Sequence, residues 1–168
     1  PVSLSKDLKM IQRIQSVFLL LVAVAMVTST LSPIWLQVNP LQTQSMEMTA
    51  WYTTVMEIPQ ENVISQKGNI YIGILALLAA SLAIFSLFQY KNRKKQLLLN
   101  MVNAILMGVT LGLAVYTSFK ANENFNPTVG GAFLIGFYSI VLGLILNLVA
   151  NRFIKKDEML VRSVDRIR

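Results

Sequence analysis

Four stretches of the chain, residues 14–32, 70–88, 97–119 and 127–150, are predominantly apolar and contain no Asp, Glu, Lys or Arg. Each is close to the roughly 20 residues that an α-helix needs to cross a hydrocarbon layer about 30 Å thick. A soluble chain of 168 residues would spread its apolar side chains in periodic stripes around one core. Here 54% of the residues are hydrophobic, only 14% are charged, and the apolar ones are gathered into blocks. The expected fold class is all-α integral membrane: a four-transmembrane-helix bundle, with a small β-rich extracytoplasmic loop between helices 1 and 2 as an allowed addition. One membrane domain then fills 1–168, leaving no room for a separate soluble unit.

Charge at the ends of the spans predicts their direction. Lys67 and Lys120 aside, every Lys and Arg falls in the segment before residue 14, in the turn at 89–96 or in the tail at 151–168. By the positive-inside rule those three segments are cytoplasmic, and 33–69 and 120–126 face the other side. The expected location is the cell inner membrane, multi-pass, with both termini cytoplasmic. A cleaved signal peptide is the rival reading of the first run, but its Ala23-Val24-Ala25 lies inside the apolar stretch rather than after it, which favours a retained helix. The chain start reads either from Pro1 or from Met10.

The net charge of +7 does not point to nucleic acid, because the cations flank membrane spans. Anionic lipid head groups are the expected counter-ions of Lys91, Arg93, Lys94, Lys95, Arg152, Lys155, Lys156, Arg162, Arg166 and Arg168, with a cytoplasmic partner as the alternative contact. The tail alternates in sign and places Leu160, Val164 and Ile167 on one helical face, so it reads as a short amphipathic helix or as a solvated extension of span four.

Chemistry is poorly represented. The absence of cysteine and histidine removes disulfides, thiol nucleophiles, and the usual zinc ligands and general base. No ionisable group lies in the central turns of any span, which argues against a carboxylate-driven exchanger, and no lysine is deep enough for a Ser–Lys pair. No catalytic residue, cofactor or metal is expected.

Packing and partner contacts are better represented. Ala104, Gly108 and Gly112 recur at four-residue intervals in the third span, and Ala132, Gly136, Ser139 and Gly143 form a similar series in the fourth. Small residues at such spacing let helix backbones approach closely, either within one bundle or against a partner. Near the inner ends lie Asn100, Asn103, Asn147 and Asn151, and antiparallel neighbours would put Asn103 and Asn147 at similar depth, within reach of a mutual hydrogen bond. A lipid head-group or partner site is the sharper reading of the same amides.

Residues 33–69 carry both tryptophans. Ile34 to Val38, Thr49 to Ile58 and Asn62 to Ser65 are rich in β-branched or aromatic residues and are closed by turn chemistry, which predicts two or three short strands. The other reading makes Trp35, Trp51 and Tyr52 interfacial anchors on an irregular loop. Pro127 after Asn126 reads as the first residue of the fourth helix behind its cap.

The opening Met10-Ile11-Gln12-Arg13-Ile14-Gln15-Ser16-Val17 and the close Lys156-Asp157-Glu158-Met159-Leu160-Val161-Arg162-Ser163-Val164-Asp165-Arg166-Ile167-Arg168 resemble the two ends of a Bacteroidota inner-membrane family, domain-of-unknown-function family 4293. The resemblance runs from Met10 onward, and the residues before Met10 depart from it. It implies a four-span protein of the bacterial inner membrane without an assigned activity, catalytic residue or cofactor. The expected function is a non-enzymatic accessory subunit or assembly factor of a larger inner-membrane complex, bound to membrane lipids and other membrane-protein subunits. The alternative is a small homo-oligomeric transporter or lipid-handling protein, with a polar cavity built from Thr110, Thr117, Ser139 and the amides.

Overall fold

The computed structural model describes residues 2–90 and 92–165, with side chains over 14–90 and 92–159. In chain order the elements are α1 (Val2–Leu31), β1 (Trp35–Val38), β2 (Gln44–Met48), β3 (Tyr52–Glu57), β4 (Val63–Gly68), α2 (Ile70–Phe88), α3 (Arg93–Phe125), β5 (Ala132–Phe133) and α4 (Ile135–Asp165). The four helices form a ring in which each packs on its two neighbours, α4 closing on α1. Each contains a stretch long and apolar enough to cross a membrane.

Helix α2 buries its alanines and exposes most of its large side chains. Ala76, Ala79, Ala80 and Ala83 of α2 are at most 4% exposed, whereas Ile74, Leu78 and Phe85 on the same helix are about half exposed. Hydrocarbon is as apolar as a leucine side chain, so bulky residues gain little by turning inward, and close backbone approach decides the interior. With 33 residues α3 is about 50 Å long at 1.5 Å per residue, well beyond a hydrocarbon layer of about 30 Å. Its last turns rise beside the sheet.

The all-α class is overturned. The strands join into one five-stranded antiparallel sheet in the order β4-β3-β2-β1-β5. Three strands fall where β-branched and aromatic residues predict them. The other two do not announce themselves locally. Strand β2, QSMEM, is polar by composition, yet its alternation puts Met46 and Met48 in the core and leaves Ser45 and Glu47 partly exposed. Strand β5 is two residues long and exists because Leu134 N–H donates to Ile34 O at 2.9 Å and Gly136 N–H to Pro33 O at 2.9 Å, drawing the segment against β1.

That pairing also corrects the start of the fourth helix. Asn126 does not cap a helix opening at Pro127. Its Oδ1 accepts from Thr128 N–H at 3.1 Å and from the Thr128 hydroxyl at 2.6 Å, closing a turn, and the chain passes through β5 before α4 begins at Ile135. Helix α3, in turn, continues to Phe125. At the other end α4 runs unbroken to Asp165, so the tail as far as that residue prolongs the span.

Candidate functional site: a cavity at the sheet end and a buried amide layer

The face of the sheet turned toward α3 is set by register. Met46, Val55 and Ser65 stand in one cross-strand row, and Met48, Thr53 and Lys67 in the next. Met46, Thr53, Val55, Ser65 and Lys67 thereby form one wall of a cavity of about 360 Å³. The opposite wall is Tyr71 at the start of α2 together with Tyr116, Thr117, Lys120, Ala121 and Asn124 from the end of α3. Tyr71 and Thr117 share a hydroxyl–hydroxyl bond of 2.7 Å that ties the two helices together beneath it. Asn69, 2% exposed, holds the strand–helix junction: with its amide oxygen toward Thr53 it accepts from Thr53 N–H at 3.2 Å and Oγ1 at 2.5 Å.

Both cations of the sheet end of the molecule line this cavity. Lys120 pairs with Glu123 at 3.2 Å, both exposed. Lys67 has no carboxylate partner among the described residues. No Asp or Glu lines the cavity.

The tryptophans are joints rather than interfacial anchors. Trp35 is 3% exposed, and its ring fills the space beside Gly131, where an added Cβ would lie 2.2 Å from it. Trp51 packs on Gly73 in the same way and donates its indole N–H to Thr30 O at 2.9 Å, fastening the β2–β3 turn to the end of α1. Only Tyr52 of the three is substantially exposed, at 46%. Gln37, which pattern reasoning passed over, is buried and donates to Asn126 O at 2.8 Å and Val129 O at 2.6 Å, holding the α3–β5 connection against the sheet.

At the opposite end the helices contribute a layer of fully buried amides: Gln15 from α1, Gln96, Asn100 and Asn103 from α3, and Asn147 from α4. Gln15 Nε2 donates to Gln96 Oε1 at 3.4 Å, Gln96 Nε2 to Ser86 O at 3.1 Å, and the Ser86 hydroxyl to Asn100 Oδ1 at 2.6 Å. The expected Asn103–Asn147 bond is replaced. Asn147 donates to the Asn100 carbonyl at 2.9 Å, and neither amide atom of Asn103 has a partner among the described residues. Depth along two helices was readable from residue counts; rotation about their axes was not. Asn151 is half-buried, its Oδ1 also unpaired, at a groove of about 260 Å³ that it forms with Leu97, Met101, Arg152 and Lys155.

The cations at this end divide. Arg93 does not face lipid freely but meets Asp157, which is fully buried, at 2.5 Å. Lys94, Lys95, Arg152, Lys155 and Lys156 are exposed. Lys91, Arg166 and Arg168 lie outside the described residues, as does the side chain of Arg162.

The two small-residue series have different fates. Gly136 and Gly143 are internal: an added Cβ would lie 2.7 Å from Ser32 O at the first and 3.2 Å from Met26 Sδ at the second, and Ser139 between them is 9% exposed. Ala132 is exposed in β5 and off that helix face. On α3, Ala104 is half-buried, while Gly108 and Gly112 are exposed with nothing within 4 Å of an added Cβ. Of the polar residues suggested for a transport path, Thr117 lines the cavity beside the sheet, and Thr110 turns its hydroxyl to its own helix at Leu106 O, 2.8 Å away. Among the described residues no three His, Cys, Asp or Glu gather to hold a metal ion.

Large apolar side chains turned outward on four long helices, and a sheet fastened across one end of them, define a multi-pass membrane protein of mixed α and β structure. The chain belongs to the family described as Domain of unknown function (DUF4293), whose model matches residues 11–167. No curated protein matches it.

Proposed function

We propose that this protein is a non-enzymatic accessory subunit or assembly factor of a larger complex in the cytoplasmic membrane, with both termini in the cytoplasm and the sheet on the far side. The observation that carries the reading is the open Gly108–Gly112 face of α3. The small residues of the other helices are used inside the bundle where described: the alanines of α2 are buried, and Gly136 and Gly143 are in contact with α1 or the segment just after it. A glycine facing lipid costs helix propensity, about 1 kcal/mol relative to alanine, and gains no packing in return. Against a second transmembrane helix the same glycines permit close backbone contact. The cationic flanks of the spans support the orientation.

The test is purification of the native protein in gentle detergent with mass spectrometry, alongside Gly108→Leu and Gly112→Leu. An added Cβ meets nothing within 4 Å at either position, and unchanged thermal unfolding of the variants separates a lost partner from a lost fold. A defined membrane protein should co-purify in fixed ratio with the natural chain and be lost from the variants. A lone monomer rejects the reading, and a self-associated oligomer transfers it to a homo-oligomeric transporter or lipid-handling protein. Reporter fusions in the β3–β4 turn and at the C-terminus should report opposite compartments.

A further inference from the structure

We infer that the cavity between the sheet and the end of α3 binds an anionic amphiphile, its phosphate or carboxylate head between Lys67 and Lys120 and its apolar part leaving past Tyr116 toward lipid. The two lysines sit 53 positions apart in sequence, on β4 and α3, and they are the cations that break the inner-end bias of the chain. Nothing in span topology requires them to meet, yet both line one cavity. A cation at this end of a membrane protein works against the charge bias that orients the spans, so its presence calls for a local use.

The rest of the lining fits the same ligand. Hydroxyls of Ser65 and Tyr116 offer hydrogen-bond donors beside the ammonium groups, and Met46, Val55 and Ala121 supply apolar wall. No carboxylate competes from within; Glu123, which holds Lys120 from outside, is 68% exposed and exchangeable with a ligand anion. At about 360 Å³ the space is within the range of roughly 300–1,000 Å³ typical of small-molecule sites. It matches a head group rather than a whole lipid. Tyr71 and Tyr116 are 44% and 60% exposed, marking the rim at the depth where amphipathic rings meet both water and hydrocarbon. Which leaflet supplies the ligand rests on the orientation proposed above; binding itself does not, and stands whether or not α3 carries a partner.

The experiment measures binding to the full chain in a neutral maltoside detergent, with didecanoyl phosphatidylglycerol, the phosphatidylcholine of the same chain length, glycerol phosphate and inorganic phosphate as probes. Phosphatidylglycerol should bind best. K67Q/K120Q should weaken it by about tenfold or more, and K67R/K120R should restore it. Both lysines are exposed, and unchanged thermal unfolding of the variants separates lost binding from lost fold. Equal binding of glycerol phosphate would overturn the amphiphile in favour of a soluble anion. Equal binding of phosphatidylcholine, no binding at all, or binding insensitive to K67Q/K120Q would overturn the site.

Discussion

The carboxylate of Asp157, fully buried near the end of α4, meets the guanidinium of Arg93 at the start of α3 across 2.5 Å, 64 positions away in sequence. The second carboxylate oxygen has no partner among the described residues. Arg93 is therefore the group that offsets the cost of keeping this charge out of water. Arg93→Ala should destabilise the protein by about 3 kcal/mol, since breaking a buried pair strands the remaining charge. Replacing both residues by apolar ones, R93M/D157L, should recover most of that loss. Thermal unfolding in mild detergent checks both, and an unshifted midpoint for Arg93→Ala would mean the pair contributes nothing.

Glycines of the two series should respond in opposite directions. At Gly136 a methyl group would lie 2.7 Å from Ser32 O and 2.8 Å from Pro33 O, backbone atoms with little freedom to retreat. Gly136→Ala should cost about 1–3 kcal/mol, the usual penalty of overpacking. Gly108→Ala meets open space and should stabilise α3 by up to about 1 kcal/mol through helix propensity. Unfolding of the two variants side by side decides it, and a neutral Gly136→Ala would contradict the close approach of α4 to the segment after α1.

The amide layer makes a sharper prediction at Asn103 than at its neighbours. Neither polar atom of Asn103 is paired, so Asn103→Leu removes groups that gain nothing from burial and should be neutral or stabilising. Asn147→Leu instead removes the donor to the Asn100 carbonyl and should cost about 1 kcal/mol. Strong destabilisation by Asn103→Leu would show that buried water satisfies this amide, which a solvent-isotope or relaxation measurement would then detect.

Gln37 holds two carbonyls of the α3–β5 connection, so Gln37→Leu should release that connection while leaving the helical bundle intact. The expected signature is faster hydrogen exchange and proteolysis confined to residues 126–134, with a loss of about 1–3 kcal/mol in local stability. Unchanged exchange there would place the anchoring of β5 elsewhere, in the Trp35–Gly131 contact.

How much of this was legible depended on the range of the interaction. The four spans were visible because crossing hydrocarbon is a property of a segment's own length and composition. Strands β1, β3 and β4 were visible for a similar local reason. Strand β2 was hidden by its polar composition, and β5 by being only two residues long, so a loop expected to have two or three strands has four, joined in one sheet by a fifth from just before α4. Among the site residues, Lys67 and Lys120 carried a usable signal as exceptions to the charge bias. Asp157 carried none, because its sequence neighbours Lys156 and Glu158 make it look like one more solvated charge.

By itself the sequence determined that apolar blocks of span length would face outward over bulky side chains, and that the two families of cations would lie at different ends of the helices. Both follow from transfer between water and hydrocarbon, which each segment obeys whatever its neighbours do. Only the tertiary structure decided that Gly136 and Gly143 would be used up while Gly108 and Gly112 stayed open, that Asn147 would turn to the Asn100 backbone, and that Lys67 and Lys120 would share a cavity. These depend on the rotation of each helix about its axis and on the register between distant strands, quantities set by close packing among elements far apart in the chain.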